Sequence, residues 1–443
     1  MRPVFCMAAI GVVLGALPSR VQASPADLWG WGSESIARSG AVTASADGPE
    51  AAFYNPAGLA RSDTLKLEIN YLHVFSKLSY QTDEGSVERS IPISDHVGLG
   101  FVWPILPQLS LGIATMLPVQ SALRIDQRAA DSPAFSYLEN RSQRLSLFPA
   151  LGVRPLPWLT MGLGLNFFAE VQGDIVTTEG PTRASESTIM ADATTHAALN
   201  AGLGVRANSW LAFALVYRQA FAVPYRITTR NLVGGTPLNV DVQGEALPTP
   251  HELIVGSAFS TNHFQLNIDA AWRMWSHVSN PFVGVDAVVS GIDLGLRVPA
   301  TPYRDTFAIR SGAVVPHELT RQANLEYRLG ASLETTQVGE QTGRTNLIDA
   351  PKLGFSGGLG LRLTGPLAIP IRFDLHLALL YQLSRRYDKQ VSTVSGARDD
   401  PNVLADEDSD LEGVQISNPG YPSLVGDAIA VSTGFSISLE FAP

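Results

Sequence analysis

Apolar residues recur at every second position along much of this chain, and that alternation constrains the fold more than any other feature. It runs through 159–171, 264–275, 369–383 and 431–441, where apolar residues alternate with small or polar ones. A period of two predicts strands with one apolar face and one polar face. Fourteen such segments can be counted, and they begin near Leu65, Val97, Leu109, Leu145, Trp158, Ala197, Trp210, Leu253, Phe264, Phe307, Leu325, Leu353, Ile369 and Ala428.

The connections between these segments alternate between long and short. The long ones are 77–94, 119–142, 173–194, 225–250, 277–304, 337–350 and 385–426. The short ones lie near 106–107, 155–157, 208–209, 261, 316 and 364–366. Outer-membrane barrels join an even number of strands by short periplasmic turns and long outer loops. The sequence therefore predicts an all-β fold, a 14-stranded antiparallel transmembrane β-barrel.

The charge content and the hydropathy pattern support a membrane strand protein. Charged residues make up 16% of the chain, against about a quarter in soluble proteins. The best candidate for a spanning helix, 368–383, is interrupted by Arg372, Asp374 and His376, so the sequence predicts no spanning helix. Only helices and closed barrels satisfy their backbone groups in lipid.

The first residues predict export. Arg2, an apolar stretch over 4–17 and the small-residue site Val21-Gln22-Ala23 form a secretory signal peptide. We assign residues 1–23 to this peptide, 24–62 to an N-terminal hatch and 63–443 to the barrel. The single cysteine, Cys6, lies in the signal peptide, so the mature chain has no thiol chemistry. The predicted location is the outer membrane of a Gram-negative bacterium, as a multi-pass barrel.

Residues 24–62 lack the alternation and are rich in glycine and alanine. A barrel of fourteen strands has a lumen wide enough to need filling or to conduct water. The positions that face inward mix acids and bases: Glu68, Glu170, Asp269, Arg273, Glu326, Arg328, Arg362, Arg372, Asp374 and Glu440. Mixed charges suit hydrogen bonding to a plug better than an open pore of one sign. We therefore predict that 24–62 folds into the lumen as a hatch.

The segment Ala52-Phe53-Tyr54-Asn55-Pro56-Ala57-Gly58-Leu59-Ala60 resembles the hatch of the FadL-type outer-membrane transporters (the FadL/TodX family), which carry long-chain fatty acids and other hydrophobic compounds. An Asn-Pro pair alone is common at ordinary turns, but further matches extend the resemblance over essentially the whole mature chain. They include Pro250-His251-Glu252-Leu253, Trp272-Arg273-Met274-Trp275-Ser276 and Asn346-Leu347-Ile348-Asp349-Ala350.

The resemblance implies passive uptake of a hydrophobic ligand. The ligand is captured at the outer loops, enters an apolar pocket above the hatch, and leaves sideways through a gap beside a kinked third strand. It assigns the hatch motif to Asn55, Pro56, Ala57 and Gly58. In the third strand, 109–116, Gly112 is the candidate for the kink and Pro118 follows it.

Candidate pocket or path residues are the aromatic and apolar residues of the hatch and of inward positions. They are Phe53, Tyr54, Met116, Phe148, Phe168, Trp210 and Val216. A carboxylate ligand would need a cation, for which Arg144 and Arg273 are the candidates. The sequence does not separate fatty acids from aromatic hydrocarbons, because both are stabilised in an apolar pocket by about 25 cal/mol per Å2 buried.

No motif predicts catalysis, a cofactor or a metal site. Gly354-Phe355-Ser356-Gly357-Gly358 matches G-x-S-x-G, but that motif requires a strand-to-helix turn and this chain continues as a strand. His251-Glu252 and His317-Glu318 lack the second histidine of a zinc helix. The acidic loop 398–412 is typical of a solvated outer loop bridged by divalent ions to lipopolysaccharide, with Ca2+ binding as the alternative.

Three other functions remain open. A general porin would have an open lumen, and a lipase- or esterase-type barrel enzyme would use Ser356 and His376, which face inward on adjacent predicted strands. An adhesin would use the long loop 385–426. The expected partners are a hydrophobic small molecule, outer-membrane lipid and lipopolysaccharide, and the barrel-assembly machinery. A formal net charge of −10 argues against nucleic acid, and the barrel is expected to be a monomer.

Overall fold

The computed structural model describes residues 28–82, 85–119, 123–124, 133–136, 138, 143–179, 185–233, 236–278, 284–289, 292–293, 302–341, 345–364, 369–388 and 423–441. The signal peptide predicted over 1–23, the first residues of the predicted hatch and the acidic loop 398–412 lie outside this part of the chain.

Fourteen strands of the described chain form one closed antiparallel barrel, which confirms the predicted fold. Each strand pairs with the next, and the last pairs with the first. They are β1 (Leu65–Thr82), β2 (Gly85–Leu106), β3 (Leu109–Pro118), β4 (Ser146–Leu156), β5 (Leu159–Glu179), β6 (Ser185–Arg206), β7 (Leu211–Arg218), β8 (Glu252–Ser260), β9 (Gln265–Arg273), β10 (Thr306–Thr320), β11 (Ala323–Glu334), β12 (Lys352–Thr364), β13 (Pro370–Asp388) and β14 (Ser423–Phe441).

The alternation in the sequence becomes an outward apolar face and an inward polar face. On β9, Asn267 and Asp269 are buried in the lumen, whereas Leu266 and Ile268 are exposed toward the lipid. Outward residues alternate with inward ones in this way in membrane barrels because lipid covers only one face. The described helices include none that is long and apolar enough to cross a membrane.

Three of the predicted long loops are largely strand, which corrects the assignment of 77–94, 173–194 and 225–250 as loops. β1 and β2 continue to Thr82 and Gly85, and β5 and β6 continue to Glu179 and Ser185. The strands Phe221–Val233 and Thr236–Thr249 form a further hairpin. These extensions reach beyond the 9–11 residues that cross a bilayer, so they need no apolar face toward lipid and the pattern used to count strands does not continue into them.

Residues 28–62, here called the plug segment, lie among the inward side chains of the barrel wall. They include short helices at Ser33–Ile36 and Ala51–Tyr54 and a 3-10 helix at Pro56–Arg61. The wall approaches this segment so closely that a Cβ at Gly162 would lie 2.1 Å from Pro56 C. Glycine is therefore required at Gly162 by the position of the plug segment.

A second group of residues folds inward near the long-loop end. Ala134–Phe135 pairs in parallel with Leu347–Ile348, and we call residues 133–136, 138, 335–341 and 345–350 the inner lid. Phe135 and Ile348 are each 1% exposed. They pack against the inner faces of β1 and β14, so the lid occupies the lumen above the plug segment.

Candidate functional site

Asn55 organises the plug segment through its own side chain. It is completely buried; its Nδ2 donates to Thr43 O at 2.8 Å and its Oδ1 accepts from Ala57 N at 3.1 Å. The second contact caps the 3-10 helix that begins at Pro56. The Asn-Pro-Ala motif thus joins two parts of the plug segment, and Gly58 is buried in the same helix.

Ion pairs connect the plug segment to β11 and β13. Glu34 contacts Arg38 at 2.9 Å and Arg372 at 2.8 Å, and Arg372 also contacts Glu326 at 2.7 Å and Asp374 at 3.0 Å. Burial acts to raise the pKa of Glu34, but the guanidinium groups of Arg372 and Arg38 outweigh it and hold that pKa well below its ordinary value. Glu34 is therefore ionised at neutral pH.

Serine and histidine side chains that a barrel hydrolase would use are engaged with the plug segment. Ser356 Oγ donates to Ala37 O at 3.0 Å and lies 2.8 Å from Ser39 Oγ. His376 Nδ1 lies 2.9 Å from Ser33 Oγ, and both residues are buried. Ser356 and His376 are therefore buried against the plug segment, and Ser356 is not exposed to a substrate.

The upper face of the plug segment carries an apolar cluster, here called the inner cluster. Phe53 stacks edge-on against Phe148 of β4, with ring centroids 5.1 Å apart. Met116 of β3 belongs to the same cluster and is 1% exposed. Tyr54 also belongs to it; burial raises the pKa of Tyr54 to about 12, and its hydroxyl accepts from Trp31 N at 3.1 Å. Four predicted path residues therefore meet in one place.

A second apolar group, here called the outer cluster, lies under the inner lid. Its buried members come from the lid and from the inner faces of β1 and β14. They are Leu78, Tyr80, Phe135, Leu138, Ile348, Ala428 and Ala430. Nothing in the periodicity of the sequence indicated the three lid residues, because they lie in irregular segments far apart in the chain.

Trp29 joins the two clusters. It is partly buried and packs against both the inner and the outer cluster. Apolar side chains therefore continue from the inner lid down to β3 and β4. The sequence alone did not indicate this connection, because it depends on contacts of Trp29 with segments far away in the chain.

Other predicted site residues lie elsewhere. Trp210 is not in the lumen: it precedes β7, is 46% exposed at the short-turn end, and packs against Phe259 at 5.3 Å. The alternation does place Val216 inward, where it is buried against Ile254. The side chains of Phe168 and Arg144 lie outside the described part of the structure.

Arg273 is engaged by carboxylates of the wall. Its Nε donates to Glu252 at 2.9 Å, and a second nitrogen lies 2.5 Å from Glu334. Arg218 contacts Glu252 at 2.9 Å and donates to Phe53 O at 3.0 Å. The cation proposed for a carboxylate ligand thus already faces two acids.

The third strand contacts the plug segment near Gly112 and near Thr115. Its pairing with β2 and β4 is continuous through Gly112, where a Cβ would lie 2.4 Å from Leu59 Cδ2. Pro118 ends the strand. At Thr115 the carbonyl accepts from Trp31 Nε1 at 2.7 Å, while the hydroxyl contacts Leu99 N at 3.1 Å and Leu99 O at 3.0 Å. Glycine at 112 makes room for Leu59, and Thr115 links the β2–β3 seam to the plug segment.

The described residues contain no group of three or more histidine, cysteine, aspartate or glutamate side chains that could hold a metal ion.

Comparison with known proteins identifies the fold. No family model and no curated protein matches the chain. Among solved structures, a Pseudomonas aeruginosa FadL homologue matches with a TM-score of 0.57 and 12% identity, over 93% of this chain and 98% of that one. The P. putida toluene transporter TodX matches with a TM-score of 0.57 and 15% identity, over 94% and 100%. The CymD monoaromatic hydrocarbon channel gives 0.54 and 16%, over 93% and 98%. The chain therefore has the FadL-type barrel fold, as its sequence predicts.

Proposed function

We propose that this protein is a passive channel that takes up hydrophobic small molecules across the outer membrane of a Gram-negative bacterium. The observation that carries the proposal is the continuity of apolar side chains from the inner lid through Trp29 to the inner cluster. Such a path stabilises an apolar ligand in proportion to the area that it buries. The similarity of the fold to a FadL homologue and to two hydrocarbon channels supports it.

Charge in the lumen favours this function over a general porin. Arg328 is 1% exposed and contacts Asp374 at 2.7 Å and Glu326 at 2.6 Å. Charges paired in this way beside a plug do not leave the hydrated path of one sign that a porin needs. The contacts of Ser356 and His376 with the plug segment give no support to a hydrolase.

We further propose that the ligand leaves sideways through the β2–β3 seam, beside Thr115. Met116 and Phe148 bring the inner cluster to this part of the wall. The Trp31 indole donates to Thr115 O, so a movement of the plug segment is transmitted to the seam. Exit into the bilayer would spare an apolar ligand from crossing the periplasmic end in water.

Uptake in a strain that lacks the gene tests the proposal. Radiolabelled oleate and toluene would be supplied to cells that carry the wild-type gene, Trp29→Ala or Trp103→Ala. Trp103 is 50% exposed on the outer face of β2, so its replacement removes a tryptophan without touching the path. We expect the wild type and Trp103→Ala to restore uptake of one or both ligands and Trp29→Ala to restore less. Equal uptake with and without the wild-type gene for both ligands would refute the proposal.

A further inference from the structure

The outer cluster is bordered by buried polar atoms without a hydrogen-bond partner among the described residues. Gln382 of β13 is completely buried, and neither its Nε2 nor its Oε1 has such a partner. Gln337 of the inner lid is also completely buried; its Nε2 donates to Ser136 Oγ at 3.1 Å, but its Oε1 has no partner there. Trp29 Nε1 is the third such group.

Buried polar atoms are nearly always paired, and each one left unpaired is costly. One bound molecule with a polar group could satisfy the three that border this cluster. Gln382 is the cross-strand neighbour of Ala428, which belongs to the cluster, and Leu380 two residues earlier packs against it. The Gln382 amide thus forms part of the wall of the outer cluster.

The charges nearby favour a neutral partner for these atoms. Lys352 is the other cross-strand neighbour of Gln382, and its Nζ lies 2.7 Å from Asp349 Oδ1. Asp349 Oδ2 also accepts from Thr336 Oγ1 and Gln337 N, each at 2.7 Å. Because the lysine already faces an acid, the site has no clear electrostatic preference for a carboxylate.

We infer that the outer cluster binds molecules with an apolar body and one neutral hydroxyl or carbonyl group, and that Gln382 determines this specificity. An amide both donates and accepts, which suits a hydroxyl group, and the Trp29 N–H can donate to the same oxygen. This inference rests on the proposed function and deepens it: the channel distinguishes an oxygen-bearing molecule from the hydrocarbon of the same shape.

A matched pair of ligands tests it: 4-butylphenol and butylbenzene, which differ by one hydroxyl group. Binding is followed by intrinsic tryptophan fluorescence of the purified barrel in amphipol. The wild type is compared with Gln382→Met, which removes the amide at similar volume. Gln265→Met is the control, since Gln265 Nε2 already donates to Asn267 at 3.2 Å, far along the lumen near the short-turn end.

We expect the wild type and Gln265→Met to prefer the phenol by roughly tenfold, and Gln382→Met to lose most of that preference while binding butylbenzene unchanged. An unchanged preference in Gln382→Met, or none in the wild type, would overturn the inference and indicate that water alone satisfies the amide. If Gln382→Met does not fold, Gln337→Met is measured instead, and an unchanged preference there overturns the inference equally. Failure of the proposed function is recognised separately, because the wild type would then bind neither ligand.

Discussion

Replacing Gly162 by alanine should displace the plug segment without altering any residue of it. A Cβ at this position would lie 2.1 Å from Pro56 C and 2.2 Å from Ala57 N, whereas ordinary contact begins at 3.4 Å. The plug backbone or β5 must therefore move by about 1.3 Å, the difference between the 2.1 Å and 3.4 Å distances. Neither neighbour is a flexible side chain that could turn away.

Overpacking of this kind costs about 1–3 kcal/mol. If the strain is relieved by displacement of the plug segment, that cost raises the displaced population by roughly 5- to 150-fold. The barrel itself should persist, because the pairing of β5 with β4 and β6 does not depend on the plug segment.

A single introduced thiol reports the displacement. Ser35 in the plug segment is completely buried, and its Oγ has no hydrogen-bond partner among the described residues, so Ser35→Cys perturbs little. The mature chain is predicted to have no other cysteine. When opening is fast compared with reaction, the rate of maleimide labelling follows the open population. We expect Gly162→Ala to raise this rate within the range given above.

Gly357→Ala is the matched control. This glycine faces outward on β12, and an added Cβ would meet its neighbours at an ordinary 3.6 Å. Heat-modifiable mobility on gels verifies that each barrel is folded. If Gly162→Ala does not assemble, Gly202→Ala is labelled in its place, since its Cβ would lie 2.0 Å from Asn55 Oδ1. An unchanged labelling rate in folded Gly162→Ala would show that close approach at this glycine does not seat the plug segment.

Three further predictions concern the plug segment and the inner lid. Asn55→Ala removes two buried hydrogen bonds and should lower the free energy that holds the plug segment in the lumen by about 2–4 kcal/mol. Uptake should fall while the barrel remains folded, and unchanged uptake would contradict this. The lowered pKa of Glu34 means that its stabilising contact with Arg372 is fully present above the ordinary pKa of 4.5 and is lost as pH falls below it. The reactive species is the thiolate, whose fraction falls with pH, so the labelling rate of the plug thiol is divided by that of the same variant unfolded in urea. This ratio should stay constant from pH 7 to pH ~5 and rise below that, whereas Glu34→Gln should raise it already at pH 7. Asp349→Asn weakens the buried contact with Lys352 and should make the inner lid more sensitive to thermolysin than the wild type is; equal cleavage rates would argue against Asp349 as the anchor of the lid.

The barrel could be predicted from the sequence because the polarity of each wall residue indicates whether its side chain faces lipid or the lumen. On β9 the alternation of Asn267 and Asp269 with apolar neighbours determines which face meets lipid. A lipid-facing apolar pattern is required only where a strand crosses the bilayer, so it could not reveal that β1 and β2 continue to the pair Thr82 and Gly85. The number of strands depends only on the lipid-facing part, and for that reason it was correct.

The candidate site was predictable only in part, since it depends on contacts between distant segments. Phe53, Met116 and Phe148 were identified because each has an apolar side chain in the hatch or at an inward position. Phe135 and Ile348 were not, because they lie in irregular segments and meet only when the inner lid forms. Arg273 shows the same limit for charge: the alternation predicted an inward cation, but not the two acids that it contacts.

The plug segment contacts the wall in two chemically different ways, and this difference bears on how a ligand could pass. Near Glu34 it is held by partly buried ion pairs with Arg372 and Arg38, whereas at Trp29 and Phe53 it offers apolar surface. An apolar ligand gains free energy by replacing apolar contacts, but it cannot compensate a partly buried charge that loses its partner. A ligand that moves from the outer to the inner cluster should therefore displace Trp29 and Phe53 and leave the Glu34 contacts in place. On this argument the plug segment yields locally at its aromatic face while its charged face remains seated.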